Sequence, residues 1–252
     1  MNREIHCGNF SSSEIVALTK DGKAKGSFGK PFFTYVEEKN IERRVGRVLK
    51  NEFTSKDTAW GHLIEYRVLR YLLGTEYSLI SDKTIRHPII PYWVGSPDAV
   101  KNDGTKIVMV SDVKGLGLKA FCKTVDAYKA GGIQAVRENT EDGEKYFWQI
   151  VSNSCLLTGG VNKGELILYC PYKSELDEIR RLAINYDGPD PGRFERFQFM
   201  TDDEMPYLPD GGYYKNLYHL QFDISFDDKQ FIHERVVEAG KFLIESPKLQ
   251  TV

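Results

Sequence analysis

The most constraining stretch of this sequence is a short apolar run that ends in an acid, an apolar residue and a base. Residues 106–114 read Lys-Ile-Val-Met-Val-Ser-Asp-Val-Lys. Such a run, rich in β-branched residues, predicts a strand, and side chains alternate between the two faces of a strand. Asp112 and Lys114 are therefore expected on one face at the end of a half-buried strand, and Val113 on the other.

The segment just before this run supplies a second carboxylate. Asp98 follows Gly95-Ser96-Pro97, and the intervening residues 101–105 contain Asn-Asp-Gly, a hairpin signal that makes the two segments neighbours. Two acids and a lysine at adjacent strand ends suit a hard divalent cation with a water activated beside it. Taken singly, Asp98 also fits an ordinary turn, and Asp112 with Lys114 fits a surface ion pair.

The clearest helix signal precedes these strands. Residues 58–73 place apolar side chains at every fourth position from Trp60 to Leu72, and Asp57 or Thr58 is expected to cap the helix. Glu65 lies beside this apolar stripe. On a later predicted helix, Gln149 follows Tyr-Phe-Trp. Either residue, taken alone, fits an unremarkable place at a helix edge.

The remaining pattern predicts a mixed α/β protein. Further helices are predicted at 36–50, 119–137, 145–158, 173–184 and 228–245, and extended segments at 77–81, 89–100, 165–170 and 218–225. This order indicates a mixed central β-sheet flanked by helices. We expect one domain over residues 1–252. It would have a core of about 40–185, a basic N-terminal segment 1–40 and a C-terminal strand-and-helix extension 186–252.

Composition excludes several classes of protein. The content of 41% hydrophobic and 28% charged residues is that of a globular chain. No apolar stretch is long enough to cross a bilayer and the N-terminus lacks a signal-peptide core, so we expect a cytoplasmic protein without a membrane partner. The four cysteines are widely spaced without a CxxC pair, which favours reduced thiols.

Charge is distributed unevenly along the chain. Residues 1–50 contain ten basic and six acidic residues, and residues 175–210 contain four basic and ten acidic residues. A basic end can meet phosphates, whereas an acidic one repels them. Solvated faces of opposite sign explain the same counts equally simply.

The order of these groups resembles the PD-(D/E)xK nuclease superfamily, in particular its YqaJ/lambda-exonuclease-like branch. The resemblance spans residues 55–172, about half of the chain. It is carried by four stretches: Thr58-Ala-Trp-Gly-His-Leu-Ile-Glu65, Gly95-Ser-Pro-Asp98, Ser111-Asp-Val-Lys114 and Tyr146-Phe-Trp-Gln-Ile150 with its continuation Ser154-Cys-Leu-Leu-Thr-Gly159. It implies a restriction-endonuclease-like core with a C-terminal extension.

The resemblance also implies a set of residue roles. Asp98, Asp112 and the backbone carbonyl of Val113 would bind Mg²⁺ or Mn²⁺, and Glu65 would complete the site. Lys114 would orient and acidify the attacking water and stabilise charge on the phosphate. A further residue, Gln149, would position the lysine or the substrate phosphate.

The same resemblance implies a substrate and partners. The protein would be a magnesium-dependent deoxyribonuclease acting on linear duplex ends, and Arg44 or Arg47 with Thr54 or Ser55 would grip a 5′-phosphate. The stretch that holds these residues departs from the branch's Arg…Gly-x-x-Ala-Ser pattern. Such enzymes serve phage or prophage recombination beside a single-strand annealing protein, and some form homo-oligomeric rings around DNA.

Three alternatives stay open at this point. The first is an endonuclease or a RecB-like or Cas4-like nuclease of the same superfamily, although no cysteine cluster supports an iron–sulfur version. The second is a DNA-binding or assembly protein that kept the fold without catalysis. The third is an enzyme acting on a small phosphate, which would need a closed pocket instead of an open groove.

Overall fold

The computed structural model describes residues 3–49, 55–80, 83–188 and 190–245. The helices are α1 (Arg3–His6), α2 (Lys30–Val45), α3 (Lys56–Arg67), α4 (Leu118–Asn139), α5 (Gly143–Leu156), α6 (Leu176–Ile184) and α7 (Phe226–Gly240). The strands are β1 (Phe10–Ser11), β2 (Tyr77–Leu79), β3 (Ile85–Arg86), β4 (Trp93–Gly95), β5 (Ala99–Asn102), β6 (Ile107–Lys114), β7 (Lys163–Tyr169) and β8 (Leu217–Asp223). The predicted class, a mixed sheet flanked by helices, is confirmed.

A five-stranded sheet in the order β2-β5-β6-β7-β8 forms the centre of the molecule. Strands β6 and β7 are parallel, and the other neighbours in this sheet are antiparallel. Helices α4 and α5 connect the two parallel strands, as a parallel pair requires. The sequence predicted a single sheet, but the structure has a second one. It contains three strands in the order β1-β4-β3 and lies beside the five-stranded sheet.

The predicted extended segment 89–100 is divided between the two sheets. Strand β4 belongs to the small sheet and β5 to the large one, and the chain leaves the first before it enters the second at Ser96-Pro97-Asp98. Proline has no N–H to donate to a ladder, so a strand is readily interrupted there. This transfer places Asp98 directly before β5, beside the end of β6.

Hydrophobic residues cover both faces of the large sheet. On one face, Val110 and Leu168 pack with α4, α5 and α7 in the larger of two core clusters. On the other, Val113 and Ile167 pack with α3 and α6 in the second cluster. Neighbouring strand residues alternate between the two clusters, which confirms the predicted alternation along β6. Phe10 and Leu220, from outside residues 40–185, also belong to the larger cluster.

Several helix ends differ from the expected ones. Helix α2 begins at Lys30 instead of 36, because Pro31 suits the first turn of a helix. The cap predicted for α3 at Asp57 or Thr58 is wrong: Ser55 caps this helix by accepting a 3.1 Å hydrogen bond from Thr58 N. Helix α3 continues as a π-helical turn, Val68–Leu72, which the four-residue period could not reveal.

Some charges of the acidic region 175–210 are used within the fold. Arg67 is buried and lies 2.9 Å from Glu178 and 3.3 Å from Glu175. Arg180 pairs with Asp177 and with Asp202. Part of the negative charge therefore holds α6 against α3 and the segment after it. No helix among the described residues is long and apolar enough to span a membrane.

Candidate active site

The end of β6 and the start of β5 bring the two predicted carboxylates together. Asp98 is 9% exposed and Asp112 is fully buried. The Val113 N–H donates a 2.7 Å hydrogen bond to Asp98 Oδ2, so Asp98 is fixed to the strand that carries Asp112. This bond follows from the antiparallel register, in which Ala99 lies opposite Ser111.

Asp112 lies between two side chains that hold its carboxylate from opposite sides. The Gln149 side-chain amide donates a 2.6 Å hydrogen bond to Oδ1, and Lys114 Nζ lies 2.7 Å from Oδ2 in an ion pair. Gln149 therefore contacts Asp112, which in turn pairs with Lys114, and its expected role toward the lysine or the phosphate stays a prediction. Lys114 also lies 5.6 Å from the ring centroid of Tyr146, with 23% of its side chain exposed.

Burial and mutual charge set the acid–base behaviour of this cluster. Burial, together with the carboxylates of Glu65 and Asp112, raises the pKa of Asp98 well above its usual range. Burial also raises the pKa of Asp112, although Lys114 opposes it. For Lys114, burial alone would lower the pKa, but Asp112 and Asp98 outweigh it and raise the pKa. Without a cation, the lysine holds its proton more tightly than a free lysine does.

Helix α3 brings Glu65 to the same end of the sheet. This helix touches the chain directly after β6, where a Cβ on Gly115 would lie 2.6 Å from Ile64 Cβ. The Glu65 charge acts on both Asp98 and Asp112. Its Oε2 atom lies 3.6 Å from His62 Nδ1, and 29% of its side chain is exposed. Glu65 therefore borders the two buried acids from the solvent side.

The donor set fits a divalent cation held by few protein ligands. Among the residues that the structure describes, no three His, Cys, Asp or Glu side chains stand in an arrangement that could hold a metal ion. Two carboxylates, Asp98 and Asp112, still fit this chemistry, since Mg²⁺ is commonly bound by one or two carboxylates together with water and substrate phosphate. Asp112 Oδ2 is buried and has no hydrogen bond of good geometry, so a cation would share this atom with the Lys114 ammonium, which lies 2.7 Å from it.

The contacts of the residues expected to bind a 5′-phosphate do not test that role. Arg44 is exposed and donates from Nε to Asn40 O on its own helix at 3.4 Å, and Arg47 is exposed beyond the end of α2. The Ser55 hydroxyl caps α3. Thr54 lies outside the described residues. Their role in phosphate binding stays a prediction.

Two residues near the site were missed in the sequence reasoning. Lys145 lies one turn before Gln149 on α5, and its charge acts on Asp112. The ring of Tyr146 lies next to Lys114. Both directly precede the Phe-Trp-Gln stretch, and a spacing of four residues from Gln149 was the available signal for Lys145.

The fold is similar to that of two solved exonucleases. No family model matches the chain, and no curated protein matches it in sequence. Among solved structures, the alkaline exonuclease LHK-Exo from Laribacter hongkongensis is similar over 94% of this chain and 90% of its own, with a TM-score of 0.54 and 14% identity. Its complex with dAMP gives a TM-score of 0.57 at 14% identity, over 95% of this chain and 90% of that one.

A second protein shares the same fold. The phage-related exonuclease from Haemophilus somnus 129PT is similar over 93% of this chain and 92% of its own, with a TM-score of 0.55 and 13% identity. The coverage shows that the likeness extends over nearly the whole chain, well beyond the motif-bearing half. At these identities it establishes the fold, and the residue roles rest on the geometry described above.

Proposed function

We propose that this protein is a metal-dependent deoxyribonuclease that hydrolyses phosphodiester bonds from the ends of linear duplex DNA. The observation that carries this proposal is the cluster at the end of β6, where two buried carboxylates meet the Lys114 ammonium. The exonucleases that share the fold support it. One of them binds dAMP, a deoxynucleoside monophosphate of the kind that an exonuclease releases.

In this proposal Asp98 and Asp112 would hold a Mg²⁺ or Mn²⁺ ion with the Val113 carbonyl as a further ligand, and Glu65 would complete the site through a water that the ion holds. When bound, the cation supplies positive charge beside the phosphate and acidifies a nearby water. Burial of the two acids supports this role, since their raised pKa values reflect a cost of charge that a cation relieves.

The protein's own groups complete the arrangement. Lys114 presents an ammonium at the rim of the site, where it can stabilise negative charge that develops on phosphate oxygens. Asp112 holds this ammonium, and Gln149 in turn holds Asp112. The lysine is thus oriented before DNA binds, which lowers the reorganisation needed during the reaction.

The biological setting is part of the same proposal. The enzyme would act in phage or prophage recombination, next to a single-strand annealing protein, and as a homo-oligomeric ring around DNA. Arg44, Arg47, Thr54 and Ser55 would contact the 5′-phosphate end. Ring formation would be seen in solution as a mass that is a multiple of the 28.8 kDa chain.

Digestion of DNA with distinct topologies tests the activity. Linear duplex carrying a labelled 5′-phosphate end and covalently closed circular duplex are each incubated with the protein in Mg²⁺ and in EDTA. We expect Mg²⁺-dependent loss of the linear DNA while the circle is spared, and the order in which labels are released gives the polarity. Cleavage of the circle would replace the exonuclease with the endonuclease alternative.

A matched pair of variants excludes a contaminating nuclease. Asp112→Asn removes a carboxylate from the cluster, whereas Asp203→Asn changes an exposed acid in the 3₁₀ helix Asp202–Glu204. We expect the first to abolish digestion and the second to digest as the wild type does. Equal digestion by both variants, or none by the wild type with either metal, would contradict the proposed function.

A further inference from the structure

An aromatic cluster surrounds Lys129 on the surface of α4. Its Nζ atom lies 4.5 Å from the ring centroid of Tyr213, 5.5 Å from that of Tyr214 and 5.4 Å from that of Tyr218. Tyr213 meets Tyr214 edge to face at 4.9 Å. The Tyr214 hydroxyl donates a 2.6 Å hydrogen bond to Asp126 on α4. These contacts attach the cluster to α4, and Tyr213 is 76% exposed.

This cluster lies on the same face of the sheet as the candidate active site and at the same end of its strands. Lys114 pairs with Leu168 on β7, and Leu168 pairs with Tyr218 on β8. Residues directly opposite each other on neighbouring strands point to the same face. Two strand spacings separate Lys114 from Tyr218, a distance of about 10 Å.

Further exposed lysines lie on the two elements that carry the cluster. Lys119 and Lys123 are exposed on the first turns of α4, the helix that starts just after Lys114, and Lys215 is exposed in the loop between Tyr214 and β8. The acid in this patch, Asp126, is engaged by the Tyr214 hydroxyl. Cations beside an open aromatic face are the combination with which proteins hold single-stranded nucleic acid.

We propose that this surface binds an unpaired stretch of the DNA substrate next to the active site. A base stacks on the exposed face of Tyr213, while Lys129, Lys119 and Lys123 contact neighbouring phosphates. The inference rests on the proposed nuclease function and specifies which part of the substrate lies beside β8. A single exposed aromatic residue would carry no such meaning, but this ring packs against Tyr214 and lies next to the Lys129 ammonium. The third ring of the cluster, that of Tyr218, is two strands away from Lys114.

Binding of a DNA duplex with a single-stranded overhang tests the inference apart from catalysis. The full-length protein is titrated into a fluorescent oligonucleotide in EDTA, and anisotropy is recorded at several salt concentrations. We expect Tyr213→Ala to weaken binding by roughly 10-fold or more, because it removes a stacking face. Lys129→Met should lower the slope of log affinity against log salt by about 0.7, because one phosphate is then no longer neutralised by a lysine.

Matched controls come from the opposite end of strands β7 and β8. Phe226 follows the far end of β8 and is 77% exposed, and Lys163 is exposed at the start of β7. Phe226→Ala and Lys163→Met should bind as the wild type does. Tyr213→Trp keeps an aromatic face and should bind with most of the wild-type affinity, which a merely structural role for the ring would not predict.

The outcomes separate this inference from the proposed function. If the wild type binds and digests DNA while Tyr213→Ala and Lys129→Met bind like the two control variants, the surface is not part of the DNA path and the nuclease function stands. If the wild type neither binds nor digests DNA, both fail together. Weakened binding only for duplex with an overhang, and not for blunt duplex, would establish that the bound stretch is unpaired.

Discussion

The side-chain amide of Gln149 donates a 2.6 Å hydrogen bond to Asp112 Oδ1, and this contact ties helix α5 to the strand that carries the candidate active site. Asp112 is fully buried, so the amide stabilises a charge that has no access to water. Gln149 thereby controls the orientation of the carboxylate that holds Lys114. In the proposed reaction Gln149 would therefore act by positioning Asp112 and Lys114.

Gln149→Ala is therefore expected to weaken Mg²⁺ binding strongly and to lower the free energy of unfolding to a smaller extent. Groups that orient a metal-binding side chain typically contribute 10- to 100-fold to metal affinity or activity. We expect the Mg²⁺ concentration that gives half-maximal digestion to rise within this range. Gln134→Ala, at an exposed position on α4, is the control and should leave the Mg²⁺ dependence unchanged. An unchanged Mg²⁺ dependence in Gln149→Ala would assign the amide a purely structural role.

Lys114→Ala is expected to lower kcat by roughly 100- to 1,000-fold, the usual effect of removing a group that stabilises developing charge. The ammonium lies 2.7 Å from the buried Asp112, so the variant also leaves this carboxylate without its counter-charge. Single-turnover digestion of linear duplex measures the rate, and thermal unfolding measures the structural cost. Lys106→Ala, at an exposed lysine just before the opposite end of β6, is expected to keep the single-turnover rate. Digestion at a near-normal rate by Lys114→Ala would remove the lysine from the mechanism.

Asp98→Asn is expected to stabilise the metal-free protein while it weakens Mg²⁺ binding. Burial and the charges of Glu65 and Asp112 raise the pKa of Asp98, so its ionised form is disfavoured in the folded state. Above the unfolded pKa of about 3.9 this charge therefore opposes folding. An amide carries no charge and keeps an oxygen to accept from Val113 N. Thermal unfolding in EDTA at neutral pH should show a higher Tm than that of the wild type.

The same experiment with added Mg²⁺ supplies the second half of this prediction. Mg²⁺ should raise the Tm of the wild type by relieving repulsion between the two acids, and should raise that of Asp98→Asn much less. Asp203→Asn, at an exposed acid, should respond to Mg²⁺ as the wild type does. A larger Mg²⁺ effect in Asp98→Asn than in the wild type would place the ion elsewhere.

Gly115→Ala tests the contact between α3 and the end of β6. A Cβ at this position would lie 2.6 Å from Ile64 Cβ and 3.1 Å from Gly61 Cα, so the helix that carries Glu65 must move. We expect a loss of about 1–3 kcal/mol in the free energy of unfolding, as for other overpacked sites, together with reduced digestion. Chemical denaturation measures the first effect.

Gly117→Ala is the matched control for this steric argument. Two residues further along the chain, a Cβ meets no atom within 4 Å. Gly117 caps α4 without a side-chain hydrogen bond, so alanine there is expected to cost less than about 1 kcal/mol. Equal losses of stability in the two variants would refute a specific contact at Gly115.

The main chemical features of the site followed from local sequence rules. Alternation along 106–114 predicted that Asp112 and Lys114 share a face, and the Asn-Asp-Gly turn predicted that Asp98 lies nearby. Both depend on neighbouring residues and on backbone geometry that the sequence encodes directly. Pro97 marked the place where the extended segment breaks, although its consequence, a second sheet, depends on which distant strand pairs with β4.

Other features were beyond the reach of sequence reasoning because they depend on register between distant strands. Glu165 accepts hydrogen bonds from Tyr77 on β2 and Ser111 on β6, at 3.0 Å and 2.7 Å, and from Gln221 on β8 at 2.8 Å. Four strands meet at this one carboxylate. The residues lie far apart in sequence, and a shift of one position in any ladder would turn the side chains to the other face.

Glu165 is also the basis of a prediction about stability and pH. Its carboxylate is fully buried, and His219 Nδ1 lies 3.2 Å from Oε1. Burial alone would raise the pKa of Glu165, but hydrogen bonds with His219, Gln221 and Ser111 outweigh it and lower the pKa. The ionised form is thus favoured in the folded state. Its contribution to stability is present above the unfolded pKa of about 4.3 and is lost as pH falls through the folded pKa.

Glu165→Gln is expected to lower the free energy of unfolding at pH 7 by on the order of 1–3 kcal/mol, because an amide turns one acceptor into a donor among groups that donate. The difference from the wild type should shrink as pH falls below about 4.3, where Glu165 becomes protonated in the unfolded chain, and on through its lower folded pKa. Denaturation at a series of pH values measures this difference, and Glu138→Gln, at an exposed residue of α4, provides the baseline. A difference that stays constant down to about pH 3, below the unfolded pKa, would show that Glu165 contributes through shape and packing and not through its charge.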